Sequence, residues 1–513
     1  MQTPAPSLGR YVLIATIFAS GMAFLEGTIL NVALPRIQTE LSATTADLLW
    51  IINIYSLLLG SLILVGGSLG DRYGRVRVFR VGIVIFSVGC VLCGIAPTTT
   101  TMIAARVVQG VGGALMIPGS LAIISAFFSG EQRGQAIGTW SSATTIATLA
   151  GPAIGGFMAD QGLWRASFFM LLPLALVSLW ALRHVPESRD ETNNAPLDYI
   201  GVVLITLALG GIVFGATEIG REGLIGFQNV LNVGALILGI VLFVVFIGFE
   251  RGKEHPLLNL DLFRSRLFSG LNALTFFLYG SLAFATFMLP LNLQQFQGYS
   301  ATESGLVFLP FSLILAFLAR PIGRWSDQNG ARVPLVIGCI LVGVSFLLLA
   351  PDYANGFSNY LTSYFIAIVV LGLGMACVVA PLTSSIMGSV SANNTGLASG
   401  INNAVSRTAG VLANAILGGV ALILFTVALQ SALPIEGVSA TITSNILAQP
   451  ASFVPSPEVL AIAGDVETGA VSAAYQTSFQ TAYQIAMVVC AVLAWISAFL
   501  ALTTTGRGKK KEG

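Results

Sequence analysis

Fourteen stretches of mostly apolar residues follow one another along this chain, each about as long as an α-helix needs to cross a bilayer, roughly 20 residues. They lie near 11–34, 48–69, 78–96, 100–127, 134–158, 166–185, 199–217 and 228–250, then near 268–293, 303–323, 333–350, 359–387, 397–429 and 480–503. Only 9% of the residues are charged and 55% are hydrophobic, whereas soluble domains carry about 25% charged residues. Such a chain cannot cover a water-facing surface with polar groups, so its solvent is lipid. The fold class that follows is an all-α membrane protein. Its 56 glycines suit that class, because small residues let membrane helices approach closely. The first apolar stretch, Tyr11 to Leu34, exceeds a signal-peptide core and lacks a small-residue cleavage site after it, so it is expected to persist as the first span.

Orientation follows from the basic residues, which accumulate on the cytoplasmic side. With the N-terminus inside, the inner segments hold Arg10, Arg72, Arg75, Arg77, Arg80, Arg133, Arg183, Arg189, Arg251, Lys253, Arg264, Arg266, Arg320, Arg324, Arg332, Arg507 and Lys509 to Lys511. The outer segments hold only Arg36, Arg165 and Arg221, and Arg106 and Arg407 fall within spans. A miscounted span would invert every later loop and destroy this split. Both termini are therefore expected in the cytoplasm.

A loop repeats within the chain. G-S-L-G-D-R-Y-G-R (Gly67 to Arg75) follows the second span, and P-I-G-R-W-S-D-Q-N-G-A-R (Pro321 to Arg332) follows the tenth; Asp71 corresponds to Asp327 and Gly74 to Gly330. Six spans precede the linker at 186–197 and six follow the linker at 251–267. The expected organisation is a six-helix bundle over 1–190, two inserted helices with their linkers over 191–263, and a second six-helix bundle over 264–513. Transporters commonly arise from such repeats, with the substrate site near the midplane between them.

The motifs then resemble those of the major facilitator superfamily, in particular its fourteen-helix drug/proton antiporters. Gly67–Arg75 looks like the superfamily's signature loop, and L-E-G-T-I-L-N-V-A-L-P (Leu25 to Pro35) resembles the antiporters' first-span motif. R-V-V-Q-G-V-G-G-A (Arg106 to Ala114) is similar to the fourth-span motif, and A-G-P-A-I-G-G (Ala150 to Gly156) to the fifth-span antiporter motif. L-Q-Q-F-Q-G-Y-S (Leu293 to Ser300) and G-L-A-S-G-I-N-N-A-V-S-R (Gly396 to Arg407) match family habits in the second half. The resemblance implies the major facilitator fold and a cytoplasmic gate latch at Gly67, Asp71, Arg72, Gly74 and Arg75, mirrored by Asp327 and Arg332. It also links Gly151, Pro152, Gly155 and Gly156 with export. Where the antiporters usually carry Asp in the first span, this chain has Glu26.

Glu26 is the most informative residue. It precedes Pro35 by nine positions, hence lies about 13 Å below the outer end of its helix at a 1.5 Å rise. A carboxylate at that depth is costly and functional by default. Arg106, eight residues into the fourth span, reaches a similar depth of about 12 Å. Glu26 is expected to carry the proton and Arg106 to tune it. In the signature loop, Asp71 precedes the third span and should favour that helix's N-terminal dipole, while Arg72 and Arg75 can pair with acids on the facing half. Pro152 and its flanking glycines predict a kinked, closely packed fifth helix. Asn31, Gln109, Asn292, Gln294, Asn402, Asn403 and Arg407 are candidate cavity residues, since polar groups in lipid prefer the bundle interior; Gln295 is a further candidate, and for Gln294 and Gln295 the alternative is a place at the outer interface.

Other chemistry finds no support. The five cysteines (Cys90, Cys93, Cys339, Cys377, Cys490) lie in apolar runs and read as small apolar side chains. His184 and His255 lie far apart, and no metal or cofactor set emerges. The one basic run is the short tail at Lys509–Lys511, so nucleic acid is not a partner. No enzyme-sized soluble domain exists. The segment at 431–479 holds Glu436, Glu458, Asp465 and Glu467 without a basic residue; it is expected outside as a spacer over the outer mouth, with a binding lid as the alternative, and with a short amphipathic helix near 457–475. The functional reading is a monomeric, proton-coupled exporter of hydrophobic or amphipathic small molecules, multi-pass in a prokaryotic cell membrane. The alternative is a transporter of one metabolite or lipid on the same scaffold.

Overall fold

The computed structural model describes residues 6–189, 198–222, 227–253, 256–351, 359–391, 395–433, 438–449 and 451–506, and these are helical without a strand. The first half comprises α1 (Pro6–Leu41), α2 (Thr45–Tyr73), α3 (Arg75–Ile95), α4 (Thr99–Phe127), α5 (Gly130–Asp160) and the short pair α6 (Ala166–Phe169) and α7 (Leu171–Leu182). Next come α8 (Tyr199–Glu222) and α9 (Phe227–Arg251). The second half holds α10 (Arg266–Leu291), α11 (Ala301–Val307), α12 (Leu309–Asn329), α13 (Arg332–Leu349), α14 (Tyr364–Gly388), α15 (Thr395–Ala432), α16 (Ala440–Ala448), α17 (Pro457–Ile462) and α18 (Asp465–Thr504). The tail from Arg507, the linker at 190–197, His255 and Glu436 lie outside the described residues.

Twelve helical segments among the described residues are long and apolar enough to cross a membrane. The other two expected stretches are helical but differ in character. α5 runs for 31 residues, yet Gln132, Arg133, Gln135, Thr139, Ser141, Ser142 and Thr145 make its first half polar. The sixth stretch is interrupted at Met170. Pro173 cannot donate a backbone hydrogen bond to Phe169, four residues back, which accounts for the break.

Local chemistry sets the ends. Thr44 caps α2 reciprocally with Asp47, and Ser300 does the same for α11 with Glu303. Gly74 (φ +108°) and Gly330 (φ +95°) make the turns into α3 and α13, a backbone region that glycine enters without steric cost. The two repeated loops therefore share their turn geometry as well as their letters. α8 and α9 cross closely because Gly211 and Gly215 abut the backbone around Gly239 and Asn232. Lys253 and Asp198 form an ion pair where α8 begins and α9 ends. α8 packs in turn on α2 and α15.

The acidic segment before α18 is packed against the helices. α17 is a separate single turn, and the helix expected near 457–475 resumes at Asp465 as the start of α18. The Phe453 side chain is buried, with its ring centroid 5.4 Å from Phe425 and 5.1 Å from Phe479. Its N–H donates to Thr45 Oγ1 on α2 (3.1 Å), and the Ala451 N–H donates to the Arg221 carbonyl on α8 (3.2 Å). Burial of an aromatic ring and these two backbone bonds make the segment a strap across both halves.

Candidate functional site

Three helices bring the centre of the first half together. Glu26 on α1 and Arg106 on α4 are both buried and form an ion pair. Arg106 Nε donates to the Ile51 carbonyl of α2 (3.0 Å), and its Nη1 donates to Gln109 Oε1 (2.6 Å) one turn along α4. The guanidinium also lies over the Tyr55 ring, 4.3 Å from its centroid, a favourable cation–π arrangement. Gln109 Nε2 donates onward to the Cys90 sulfur at 3.3 Å. Thus Arg106 keeps three partners besides Glu26, whereas Glu26 Oε2 is buried without a hydrogen bond. The buried arginine is seated whether or not Glu26 carries charge; Glu26 has Arg106 as its one hydrogen-bond partner among the described residues.

The Gly67–Arg75 loop is held differently from its expected arrangement. Asp71 accepts from Arg75 Nε (2.8 Å) and Nη2 (2.7 Å) across the turn, so this pair lies within one half. Arg72 sits against the neighbouring Tyr73 ring. The N-terminus of α3 is served by Glu187 instead of Asp71: its two carboxylate oxygens accept from the N–H groups of Val76 (2.8 Å) and Arg77 (2.9 Å). Asp71 is on the last turn of α2, pointing to Arg75, so the dipole role falls to a residue 111 positions along from Val76. Gly67 packs beside Pro118, and a side chain at Gly74 would strike Glu187. Asp327 is exposed on the last turn of α12, and Arg332 begins α13.

The glycine-proline motif of α5 joins the halves. A Cβ at Gly151 would collide with Thr28 and one at Gly155 with Ile29, both on α1. On the other side a Cβ at Gly156 would collide with the Ala301 backbone, and the reciprocal Gly305 abuts the Pro152 carbonyl. Asp160 ends this contact by accepting from the N–H groups of Ala301 and Thr302, each at 2.8 Å. Partial burial pushes the Asp160 carboxyl up, but hydrogen bonds from Thr302, Ala301 and Ser300 outweigh it and hold the group below the usual carboxylate range. On the same face, Trp164 Nε1 (2.6 Å) and Arg165 Nε (3.1 Å) both donate to Glu40, fastening α1 to the loop after α5.

The polar candidates separate into three groups. Gln294 and Gln295 lie in a π turn (Asn292–Phe296) and bond the Val32 carbonyl (2.9 Å) and Gln38 (2.7 Å) of α1; they belong to the seam between halves. Asn292 is buried and donates to the Tyr364 hydroxyl (3.0 Å), Asn402 donates to Asn272 and Thr275, and Gln109 belongs to the Arg106 network. Hydrogen bonding within one half removes these three from the open interior. Asn31, Asn403 and Arg407 stay partly or fully accessible. Arg407 stands where α15 crosses Gly60, its Cβ within 3.3 Å of where a Gly60 Cβ would lie.

Between the halves, on the face that carries Gly74, opens a wide-mouthed cavity of about 860 Å³. Gly134, Gln135, Gly138, Thr139, Ser142 and Ile146 of α5 line one wall, with Arg320 of α12 opposite. The structure thus seals one face through Asp160 and opens the other along the polar half of α5. Sequence reasoning missed Tyr55, Asp160, Glu187 and Arg320 as members of these arrangements. Asp160 alone had a local signal, as an acid directly after the glycine motif.

The family model of the Major Facilitator Superfamily matches residues 16–414. Multidrug resistance protein Stp of Mycobacterium tuberculosis is 33% identical over 419 residues, which cover 80% of this chain and 75% of that protein. The tetracenomycin C resistance and export protein of Streptomyces glaucescens is 32% identical over 424 residues, covering 81% and 77%. Puromycin resistance protein pur8 of Streptomyces alboniger is 30% identical over 417 residues, covering 80% and 81%. Among solved structures, a bacterial homologue of the human lysosomal transporter Spinster, inward-facing and unoccupied, superposes with a TM-score of 0.67 at 16% identity. That match covers 98% of this chain and 99% of the other, and it bears on the fold alone.

Proposed function

The chain belongs to the major facilitator superfamily and is a multi-pass membrane transporter of small molecules, not an enzyme; from that premise we propose that it exports hydrophobic or amphipathic compounds in exchange for protons. The observation that carries this reading is the buried Glu26–Arg106 pair, with one Glu26 oxygen left unbonded. Desolvation makes the Glu26 charge depend on its single partner. A proton arriving on Oε2 neutralises the carboxyl, and Arg106 stays seated on Ile51, Gln109 and Tyr55. The α1–α4 contact then loosens without stranding a buried cation. Names of the relatives, which speak of resistance and export, support the outward direction.

In this reading the fourteen helical traverses span a prokaryotic cell membrane with both termini in the cytoplasm. Segments 1–190 and 264–513 rock against each other as a monomer, and 191–263 supplies the inserted pair. The Gly74 face is cytoplasmic, so the conformation is inward-facing. When the cavity closes there, Arg72 and Arg75 exchange their present partners for groups of the second half near Asp327, which is the latch. One proton exchanged for a neutral solute moves one charge, worth about 2.3 kcal/mol per 100 mV.

The test is proton flux in proteoliposomes on adding a panel of lipophilic cations, anions and neutral amphiphiles. Substrate-evoked flux is expected in the wild type and is expected to fall to background in Glu26→Gln. Full proton-coupled transport by that variant would sink the assignment of Glu26. Silence of the wild type across the panel would redirect the substrate to one metabolite or lipid.

A further inference from the structure

The two halves contribute charge to the interior unequally. Among the described residues, Glu26 is the acid buried in the core of the first half and is taken by Arg106, while Asp160, at the end of α5, caps α11. Asp327, which makes no ion pair, lies at the cytoplasmic-type loop outside the helical core. The arginines differ. Arg407 makes no ion pair or hydrogen bond among the described residues, although it stands twelve residues into α15 at the crossing with the middle of α2. Its Cβ faces Gly60, five residues along α2 from Tyr55, so it lies on the α2-facing side of α15, deeper than the residues that line the cavity. Its neighbour one turn earlier, Asn403, is exposed. Arg320 is likewise without an ion pair, and its Nη2 reaches to 3.7 Å from where a Gly138 Cβ would lie, across the cavity mouth.

The hydroxyls of the cavity do not compete with these arginines as donors. Thr139 gives its proton to the Gln135 carbonyl and Ser142 to the Gly138 carbonyl, each at 2.9 Å. The charged donor on the cavity lining is the Arg320 guanidinium, and Arg407 is the next one inward. Since Glu26 and Arg106 cancel, Arg407 leaves a net positive charge at mid-depth, and an uncompensated cation there is costly. A ligand that brings an anion relieves that cost; one that brings a cation adds to it. Guanidinium is also matched in shape and charge to carboxylate, sulfonate and phosphate oxygens.

We propose that the space between the halves takes amphiphiles whose polar end is an anionic oxygen group, which enter past Arg320 at the cavity mouth and are held deeper by Arg407, with the apolar part against the surrounding helices. This deepens the export reading by assigning a substrate class. Binding can be measured without transport, so the two readings fail separately.

The experiment uses the full chain in nanodiscs of zwitterionic lipid and three fluorescent probes with the same twelve-carbon chain: a carboxylate, a trimethylammonium and an alcohol. The carboxylate is expected to bind at least about tenfold more tightly than the ammonium, the scale of a charge-assisted contact. Arg407→Gln should reduce carboxylate affinity by about tenfold and leave the alcohol unchanged, and Arg407→Lys should restore part of the loss. Arg320→Gln should slow carboxylate association with a smaller effect on its affinity. Unchanged alcohol binding certifies the fold of each variant. Equal or tighter binding of the ammonium overturns the proposal, as does carboxylate binding indifferent to Arg407→Gln. Repeating the titration in nanodiscs with anionic phospholipid separates the sources of the anion: competition identifies a lipid headgroup at the same arginine, and no competition identifies a free amphiphile. Should carboxylate binding follow Arg407 while no probe drives proton flux, the substrate class stands and the antiport reading falls.

Discussion

The two ends of α5 are built from the same helix but do opposite work. At its Asp160 end, Gly151, Gly155 and Gly156 let α1 and α11 press against the backbone, and Asp160 caps the incoming helix. At its other end, Gly134 to Ile146 line the open cavity facing Arg320. The sealed end works by close backbone approach, which either fits or does not. The open end has small polar groups that tolerate water and can meet the facing helix later. A seam with one tight end and one adaptable end is what a rocking motion requires.

Several changes would break or sharpen that contrast. The largest effect is expected from Gly156→Leu, whose side chain has nowhere to go but into the Ala301 backbone. It should prevent closure of the sealed face, read as a loss of cross-linking between cysteines placed at 159 and 302. Efficient cross-linking in that variant would show that the glycine does not govern the seal. A smaller but still large change is Phe453→Ala, which removes a buried ring from the strap between α2, α15 and α18. Loss of a buried aromatic side chain costs on the order of 3 kcal/mol. Thermal unfolding should shift down, and the sealed face should open more often in pulsed electron–electron distance measurements.

Asp160→Ala comes next. It deprives the N–H groups of Ala301 and Thr302 of their cap, worth about 1 kcal/mol, and should shift the same distances towards opening at the Asp160 end. The pH dependence has a definite sign. The Asp160 carboxyl is held below its ordinary value in the sealed state, so its contribution is present above that ordinary value and is lost as pH falls through the lowered one. The seal should therefore be indifferent to pH between neutrality and about pH 5 and weaken only in stronger acid; weakening near neutrality would point to another group. The smallest effect on stability is expected from Arg75→Ala, since a partly exposed ion pair contributes about 0–1 kcal/mol. If the loop is a latch, transport should fall much more than stability. A parallel decline of both would reduce Asp71 and Arg75 to a local staple.

Much of this architecture was legible beforehand because its causes are local. Hydropathy reveals helices, and the offset between Gly67–Arg75 and Pro321–Arg332 reveals the repeated turns, since a tight turn needs its glycine wherever it occurs. The pairing of Glu26 with Arg106 was legible from depth: two charges in lipid at matching heights have few partners other than each other. Glu187 was not, because its role as cap of α3 depends on the chain returning from α7 to that exact helix end. Gln294 and Gln295 resembled cavity residues for a similar reason. Polarity says that a side chain avoids lipid, but which neighbour satisfies it depends on where α1 and α10 meet.

The amino-acid sequence by itself determined that this protein lives in a membrane, that a glycine-turn loop recurs within it, and that a carboxylate and a guanidinium lie at matching heights on two apolar helices. These follow from period, composition and height along a helix, which are properties of single segments. Tertiary structure alone decided that Arg106 has Tyr55 and Ile51 beside it, that α5 seals one face and opens the other, and that Arg407 stands against Gly60 without an ion pair among the described residues. Those facts arise from contacts between segments far apart in the chain, where packing of one helix against another selects the partner.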